Sequence, residues 1–271
     1  MQDTVKKPFD LKRLVVAFFV IPLLVLFIQY GRHYPDFFLL LLLVSLIALR
    51  EFHAMYKVPL TLSIPALIAG ALLFFVICFY PYMIIETMFF CFIALLLIRL
   101  FAVASPAGAM SGIGPVATGY LYILWFMGFQ WLLRSDAYGR YNIFLLYGSV
   151  WLADSTAYYV GTYLGKHKLC PSLSPNKTYE GAAGSIVGGI AGALIITSIF
   201  GFEDLTVFTV VIIGAVLGSV TIFGDLIESM FKRDAGVKDS SSLFPGHGGV
   251  LDKLDGVLVA GPVLYFLLGF I

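Results

Sequence analysis

The sequence predicts an all-α polytopic membrane protein of about nine transmembrane helices, with its N-terminus cytoplasmic and its C-terminus outside. Three observations carry this reading. Of 271 residues, 60% are hydrophobic and only 12% charged, against about 25% charged in a soluble domain; mean hydropathy is +0.96. The apolar residues fall into runs long enough to cross about 30 Å of hydrocarbon as helices. Across those runs the basic residues divide unevenly: of 17 Lys and Arg, only Arg32, Arg134 and Arg140 fall on the side opposite the N-terminus. A missed span would scramble that bias, which marks the cytoplasmic face. A net charge of +1 implies no basic surface for nucleic acid. Cys78, Cys91 and Cys170 have no metal-ligand spacing. The first apolar run has no small-residue cleavage site and reads as a retained span.

In order, a basic segment with Lys6, Lys7, Lys12 and Arg13 precedes spans at 14–31, 36–50, 60–80, 83–103, 113–133, 143–165, 181–200, 206–230 and 250–271. The 36–50 run is short, and Tyr80-Pro81-Tyr82 reads as either a kink or a loop. Cys78 and Cys91 sit in apolar runs as lipid-facing or packed residues. Gly184, Gly188 and Gly192 recur every fourth residue, as close helix packing demands. That spacing favours packing within the chain and permits a dimer face. The polar loops 166–180 and 231–249 both fall on the cytoplasmic side, where nucleotides are.

Three polar groups interrupt the apolar pattern. Asp154, in Asp154-Ser155-Thr156-Ala157-Tyr158, costs roughly 2.5–3.5 kcal/mol at such a depth. It must face the interior, beside a cation or as a neutral acid bonded to another helix, and Tyr158 lies one turn on. The second group is Pro175-Asn176-Lys177-Thr178-Tyr179-Glu180-Gly181. Asn176 or Thr178 can cap the next helix, with Glu180 well placed in its first turn. Lys177 there opposes the helix dipole. It is either solvated or half of a phosphate site. In the third group, Asp225, Ser229 and Lys232 share a helix face bordered by Glu228. Asp252 and Asp255 share a face of the last helix. A glycine-rich loop brings these two acidic helix mouths together, so that Asp225 and Asp252 offer oxygen ligands to Mg²⁺. Lys232, Arg233 and Lys238 are placed to neutralise phosphate. His247 is a turn residue or a substrate contact.

The run Ser229-x-Phe231-Lys232-Arg233, then Lys238-Asp239, then Pro245-x-His247-Gly248-Gly249-Val250-x-Asp252-Lys253-Leu254-Asp255, resembles the signature of phosphatidate cytidylyltransferases. Lys253 stands where the family pattern has Arg, which keeps the charge and loses the bidentate fork. Asp154-x-x-Ala157-Tyr158 and Ser174-Pro175-x-Lys177-Thr178-x-Glu180-Gly181 resemble family segments in the same order; 14–140 matches only as apolar spans. The resemblance implies that CTP and phosphatidate give CDP-diacylglycerol and pyrophosphate, in a homodimer of the cell (inner) membrane. It implies one integral unit, 1–271, in which 1–140 supplies a dimer or lipid-contact scaffold and 141–271 the catalytic helices. The residues it points to are Asp154, Lys177, Asp225, Asp252 and Asp255 as catalytic. Asp225, Asp252 and Asp154 are the metal ligands for Mg²⁺, with room for a second cation such as K⁺. Lys177, Glu180, Ser229, Lys232, Arg233, Lys238, Asp239 and His247 are the substrate contacts.

Two other chemistries bury acids in apolar helices. A cation-coupled transporter places them near the midplane and needs no pair of large loops on one face. A CTP-dependent membrane lipid kinase uses similar metal and phosphate groups. A CDP-alcohol phosphotransferase is disfavoured, since Asp255-Gly256 is followed by Val257-Leu258-Val259-Ala260 where that class has Ala-Arg and further acids.

Overall fold

The computed structural model describes residues 22, 24–29, 34–102, 106–201, 205–244 and 248–270. The first expected span, 14–31, lies mostly outside these residues; 24–29 are helical. The other helices are α1 (Tyr34–Met55), α2 (Leu60–Phe79), α3 (Ile84–Ala102), α4 (Ala109–Gly119), α5 (Phe126–Ser135), α6 (Gly139–Leu164), α7 (Tyr179–Phe200), α8 (Val207–Asp234) and α9 (Leu251–Phe270). A π-helical turn, Tyr120–Trp125, joins α4 to α5 into one span. Among the described residues, 7 such spans are long and apolar enough to cross a membrane. The remaining long helix, α6, has 26 residues and carries Asp154 and a run of hydroxyl side chains.

The N-terminal helices pack through large side chains. Phe38 of α1 meets Phe74 at 5.9 Å, Phe79 at 5.0 Å and Trp131 at 5.8 Å between ring centroids. The Trp131 indole donates to the Cys78 carbonyl at 2.9 Å, and the Tyr120 hydroxyl to the Ala66 carbonyl at 2.6 Å. A π-system whose polar handle finds an acceptor is at home in such a core. Lys57, at φ 55°, ends α1 in the left-handed region, and Pro59 opens α2. Tyr80-Pro81-Tyr82 is a tight turn between two spans and not a kink within one: a short 3₁₀ turn, Pro81–Met83, leads into α3, which folds back on α2 so that Cys91 Sγ lies 3.8 Å from the Ala69 carbonyl. Cys78 and Cys91 are buried.

The C-terminal helices instead pack through glycine. A Cβ on Gly188 would collide with Thr156 Oγ1, one on Gly184 with Val160, and one on Gly192 with the backbone of Gly148 and Ser149. These three face α6. Gly189 faces the other way, where a Cβ would strike Gly214 and Gly218 of α8. The every-fourth-residue glycines are thus spent inside the chain. Ser185 Oγ donates to the Gly218 carbonyl at 2.8 Å across the same α7–α8 seam. At Gly224 and Gly256, α8 and α9 touch backbone to backbone.

One end of the bundle gathers the polar segments. The C-terminus of α1, the loop after α8 and the N-terminus of α9 meet there through Glu51, Ser240 and Leu251. Arg233 Nε reaches the Leu173 carbonyl of the 166–180 segment at 3.3 Å. That segment, expected as a broken loop, is an antiparallel hairpin of β1 (Lys168–Cys170) and β2 (Ser174–Thr178). The exposed Pro175 and Asn176 lie within β2, next to its turn. Proline is tolerated there because an edge strand leaves its position without a ladder partner.

Candidate active site

Lys177, near the end of β2, forms an ion pair with Asp225 of α8. Thr178 places it. Thr178 Oγ1 accepts from Gly181 N at 3.1 Å and caps α7, and the buried threonine sits against Gly161 and Gly165 at the end of α6. Of the two expected caps, Thr178 serves and Asn176 does not. Glu180, in the first turn of α7, is occupied by the hairpin: it accepts from Lys166 N at 3.1 Å and lies 2.6 Å from His167 Nδ1. It therefore fixes the segment that carries Lys177.

A second cluster lies at the α8–α9 junction. Lys232 Nζ donates to Glu228 Oε2 at 2.5 Å and to Asp252 Oδ1 at 2.7 Å. Asp252 Oδ2 accepts from Ser240 N at 2.9 Å, Ser240 Oγ at 2.7 Å and Gly249 N at 2.7 Å. Both Asp252 oxygens are thus engaged by the protein itself. Gly248 has φ +79°, and a Cβ there would strike the Asp252 carboxylate. One on Gly249 would strike Ser240 Oγ. The glycine pair of the loop lets the backbone come this close. A bridge between Phe244 and Gly248 closes the loop; His247 lies outside the described residues.

Asp154, Asp225 and Asp255 form the third group. The three carboxylates lie within electrostatic reach of one another, with Lys177, Lys232 and Lys253 as the nearby cations. Gly256 marks the crossing of α6, α8 and α9: a Cβ there would lie 3.1 Å from Thr221 and Val150 and 3.8 Å from Asp154 Oδ2. Ser229 Oγ donates to Asp225 Oδ1 at 3.4 Å. Asp154, Ser155 and Tyr158 are exposed on the isolated chain, at the level of the apolar helices. Asp225 is paired directly with Lys177, and among the described residues no three Asp, Glu, His or Cys side chains converge closely enough to enclose a metal ion by themselves.

The expected meeting of Asp225 with Asp252 therefore takes another form. Asp225 pairs with Lys177, Asp252 with Lys232, and Asp255 stands near Asp225. Arg233 is exposed and donates to two carbonyls, of Leu173 and Val237. Lys238 and Asp239 are exposed on the loop.

A sequence model of the cytidylyltransferase family matches residues 11–271. The chain belongs to this family. It is 34% identical over 269 residues to a phosphatidate cytidylyltransferase of Bacillus subtilis, covering 96% of this chain and 98% of that one. The match to a phosphatidate cytidylyltransferase of Haemophilus influenzae is 40% over 143 residues, 49% of this chain and 48% of the relative. That to a Brucella abortus protein of the same name is 42% over 156 residues, 57% of each. In these last two matches the chain spans about half the relative's length. The family resemblance read from 229–255 is thereby borne out.

Three residues beside these clusters escaped the sequence reading. Glu51, at the end of α1, accepts from Ser241 Oγ at 2.7 Å, Val250 N at 3.0 Å and Leu251 N at 2.9 Å. Tyr56 OH donates to Asp234 Oδ2 at 2.9 Å. Burial, and then the Asp234 carboxylate, push its phenol above the ordinary range, so it keeps its proton. Tyr122, on the π turn, packs on Phe231 at 5.2 Å. Its buried hydroxyl and Glu228 Oε1 have no hydrogen-bond partner among the described residues. A π turn amid an apolar helix is a recurrent mark of a functional position, but no sequence pattern announces one. Glu51 follows directly on the expected end of the 36–50 span, where sequence spacing gives it no partner.

Proposed function

We propose that this chain transfers the cytidylyl group of CTP to phosphatidate, releasing pyrophosphate and leaving CDP-diacylglycerol in the membrane. The names of its relatives point to this reaction. The supporting observation in the structure is the grouping of Asp154, Asp225, Asp255 and Lys177 where apolar helices cross. The group is exposed at membrane level through Asp154 and adjoins the polar end through Lys177. A lipid phosphate and a water-soluble nucleotide need such a double approach.

In this reading a phosphatidate oxygen attacks the α-phosphorus of CTP. The bond to the bridging oxygen breaks, and pyrophosphate leaves with that electron pair. The nucleophile is ionised near neutral pH, so positioning and charge neutralisation carry the rate. Lys177 exchanges its pairing with Asp225 for a phosphate. Lys232 has one N–H left beyond Glu228 and Asp252, and Arg233 keeps N–H groups beyond its two carbonyl bonds. Asp225 and Asp255, with Asp154 beside them, would hold Mg²⁺; Asp252 serves the loop. A bound Mg²⁺ would supply charge for the transferring phosphoryl oxygens. A second cation such as K⁺ belongs to the same proposal.

The end bearing Lys177 and Lys232 faces the cytoplasm in this proposal, with α6 and the 14–31 segment completing about nine spans. The N-terminus is then cytoplasmic, the C-terminus outside and the membrane the inner one. The protein is a homodimer in this reading. Its contact must lie outside the glycine rows, since those are consumed between α6, α7 and α8.

The test uses purified protein in detergent with labelled CTP, phosphatidate and Mg²⁺. A lipid-soluble cytidine product with pyrophosphate, lost on chelation, is the expected result. Lipid phosphorylated with release of CDP would make the protein a kinase. Intact protein that binds no CTP would overturn the reading in favour of cation transport.

A further inference from the structure

We propose that Glu51, a residue of the N-terminal helices, is a positioning residue of the transfer site. It would act through Ser240, Ser241 and the first turn of α9 to hold Asp252, and through Asp252 to hold Lys232. The inference rests on the reaction proposed above and adds a residue that neither the signature nor the acidic cluster contains.

The geometry is specific. Glu51 is buried, at 6% exposure, with no Lys or Arg paired to it among the described residues. Its carboxylate is met instead by three donors. Oε1 accepts from Ser241 Oγ and Val250 N, and Oε2 from Leu251 N, with Ser240 Oγ 3.2 Å from Oε2. Val250 and Leu251 open α9, where the first N–H groups have no partner within the helix. Val250 has no side-chain acceptor to cap them. A carboxylate 200 positions earlier in the chain does so, where the helix dipole favours negative charge.

Ser240 ties this cap to the site. Its hydroxyl lies between Glu51 Oε2 and Asp252 Oδ2, within hydrogen-bond distance of both, and it has one proton to give. Gly249 closes the arrangement, since a Cβ there would strike both Glu51 oxygens as well as Ser240. Glu51 and Asp252 therefore grip one short segment from two sides. Asp252 then presents its other oxygen to Lys232. A shift of Glu51 moves the α9 N-terminus and Asp252 with it, relative to Lys232 on α8, while the Lys177–Asp225 pair, between β2 and α8, stays in place.

Glu51→Gln keeps the shape but sets an amide N–H₂ against donors that need an acceptor. In the full chain in detergent, kcat is expected to fall about tenfold to a hundredfold, the scale of a small misplacement of reacting groups. KM for CTP should stay within about threefold, because the Lys177–Asp225 pair is untouched. Combined with Ser240→Ala, the loss should be far less than the product of the two single losses, as for residues acting as one unit. Ser241→Ala removes one donor and leaves the backbone cap, so it guards against a Glu51 variant that does not fold; about a threefold fall in kcat is expected. The idea is overturned if folded Glu51→Gln keeps kcat within twofold of the native chain. It is equally overturned if lost activity only tracks the unfolded fraction while Ser241→Ala is fully active. A native chain that makes no CDP-lipid would sink the reaction itself, and the positioning role with it. An active native chain beside an equally active variant sinks only the role of Glu51.

Discussion

The two halves of the bundle are built by opposite means. In α1 to α5, buried Phe, Trp, Leu and Tyr side chains fill the space between helices, as around Phe38, Phe74 and Trp131. In α6 to α9, glycines remove side chains from the seams, and backbone meets backbone at Gly189, Gly214, Gly218 and Gly224. Large side chains can repack when one of them changes, because neighbouring rotamers give way. A seam of backbone has no such slack. The polar residues of the site ride on the stiff half, where a carboxylate on one helix keeps its distance from a carboxylate on the next.

The largest expected effect tests whether the stiff half holds the chemistry. Asp225→Asn and Asp255→Asn should each lower kcat by at least about a hundredfold, the scale of losing a preorganised charge at the reacting group, while the purified protein keeps its thermal midpoint. Retained activity in either would move the centre of the site elsewhere. Next comes the seam. Gly189→Val should destabilise by about 1–3 kcal/mol through overpacking against Gly214 and Gly218, read as faster thermal inactivation in detergent. An unchanged midpoint would show that α7 and α8 can part without penalty. Thr178→Ala, which removes the α7 cap, should cost about 1 kcal/mol and raise KM for CTP, because the cap sets the position of Lys177. Smallest is Leu73→Met in the adaptable half. It is fully buried at 1% exposure, yet the swap conserves volume and should cost less than about 1.5 kcal/mol, with kcat unchanged. A larger loss would erase the contrast between the halves.

Much of this was legible in the sequence. Apolar runs located the long helices to within a few residues, because hydrocarbon thickness fixes a minimum length. The glycine spacing foretold close packing, and the 225–255 block announced a charged site. Two kinds of information were hidden. Helix ends were misjudged wherever a charge turns inward: α1 runs to Met55, past the expected end at 50, because Glu51 and His53 are buried with partners, His53 Nδ1 lying 3.0 Å from Ser63 Oγ. Likewise α8 continues to Asp234, past 230, because Lys232 is enclosed by Glu228 and Asp252. Pairings between distant elements were the other. Spacing put Asp225 and Asp252 at two helix mouths, but it could not say that Lys177 would take one and Lys232 the other. The hairpin was read as a loop because Pro175 and Asn176 are turn formers, and only β1 across from it reveals the strand.

The bond from Glu51 to Leu251 also bears on the order in which the molecule is made. Synthesis lays down α1 long before α9, and contacts of great sequence separation form late. Until α9 arrives, the Glu51 carboxylate has none of its backbone donors; until α1 is in place, the first turn of α9 lacks its acceptor. A nascent chain stopped before its last helix would therefore carry an unmet charge at the heart of its polar end. The contact between Glu51 and Leu251 needs both helices in place, so this polar end cannot be complete before α9 has been made.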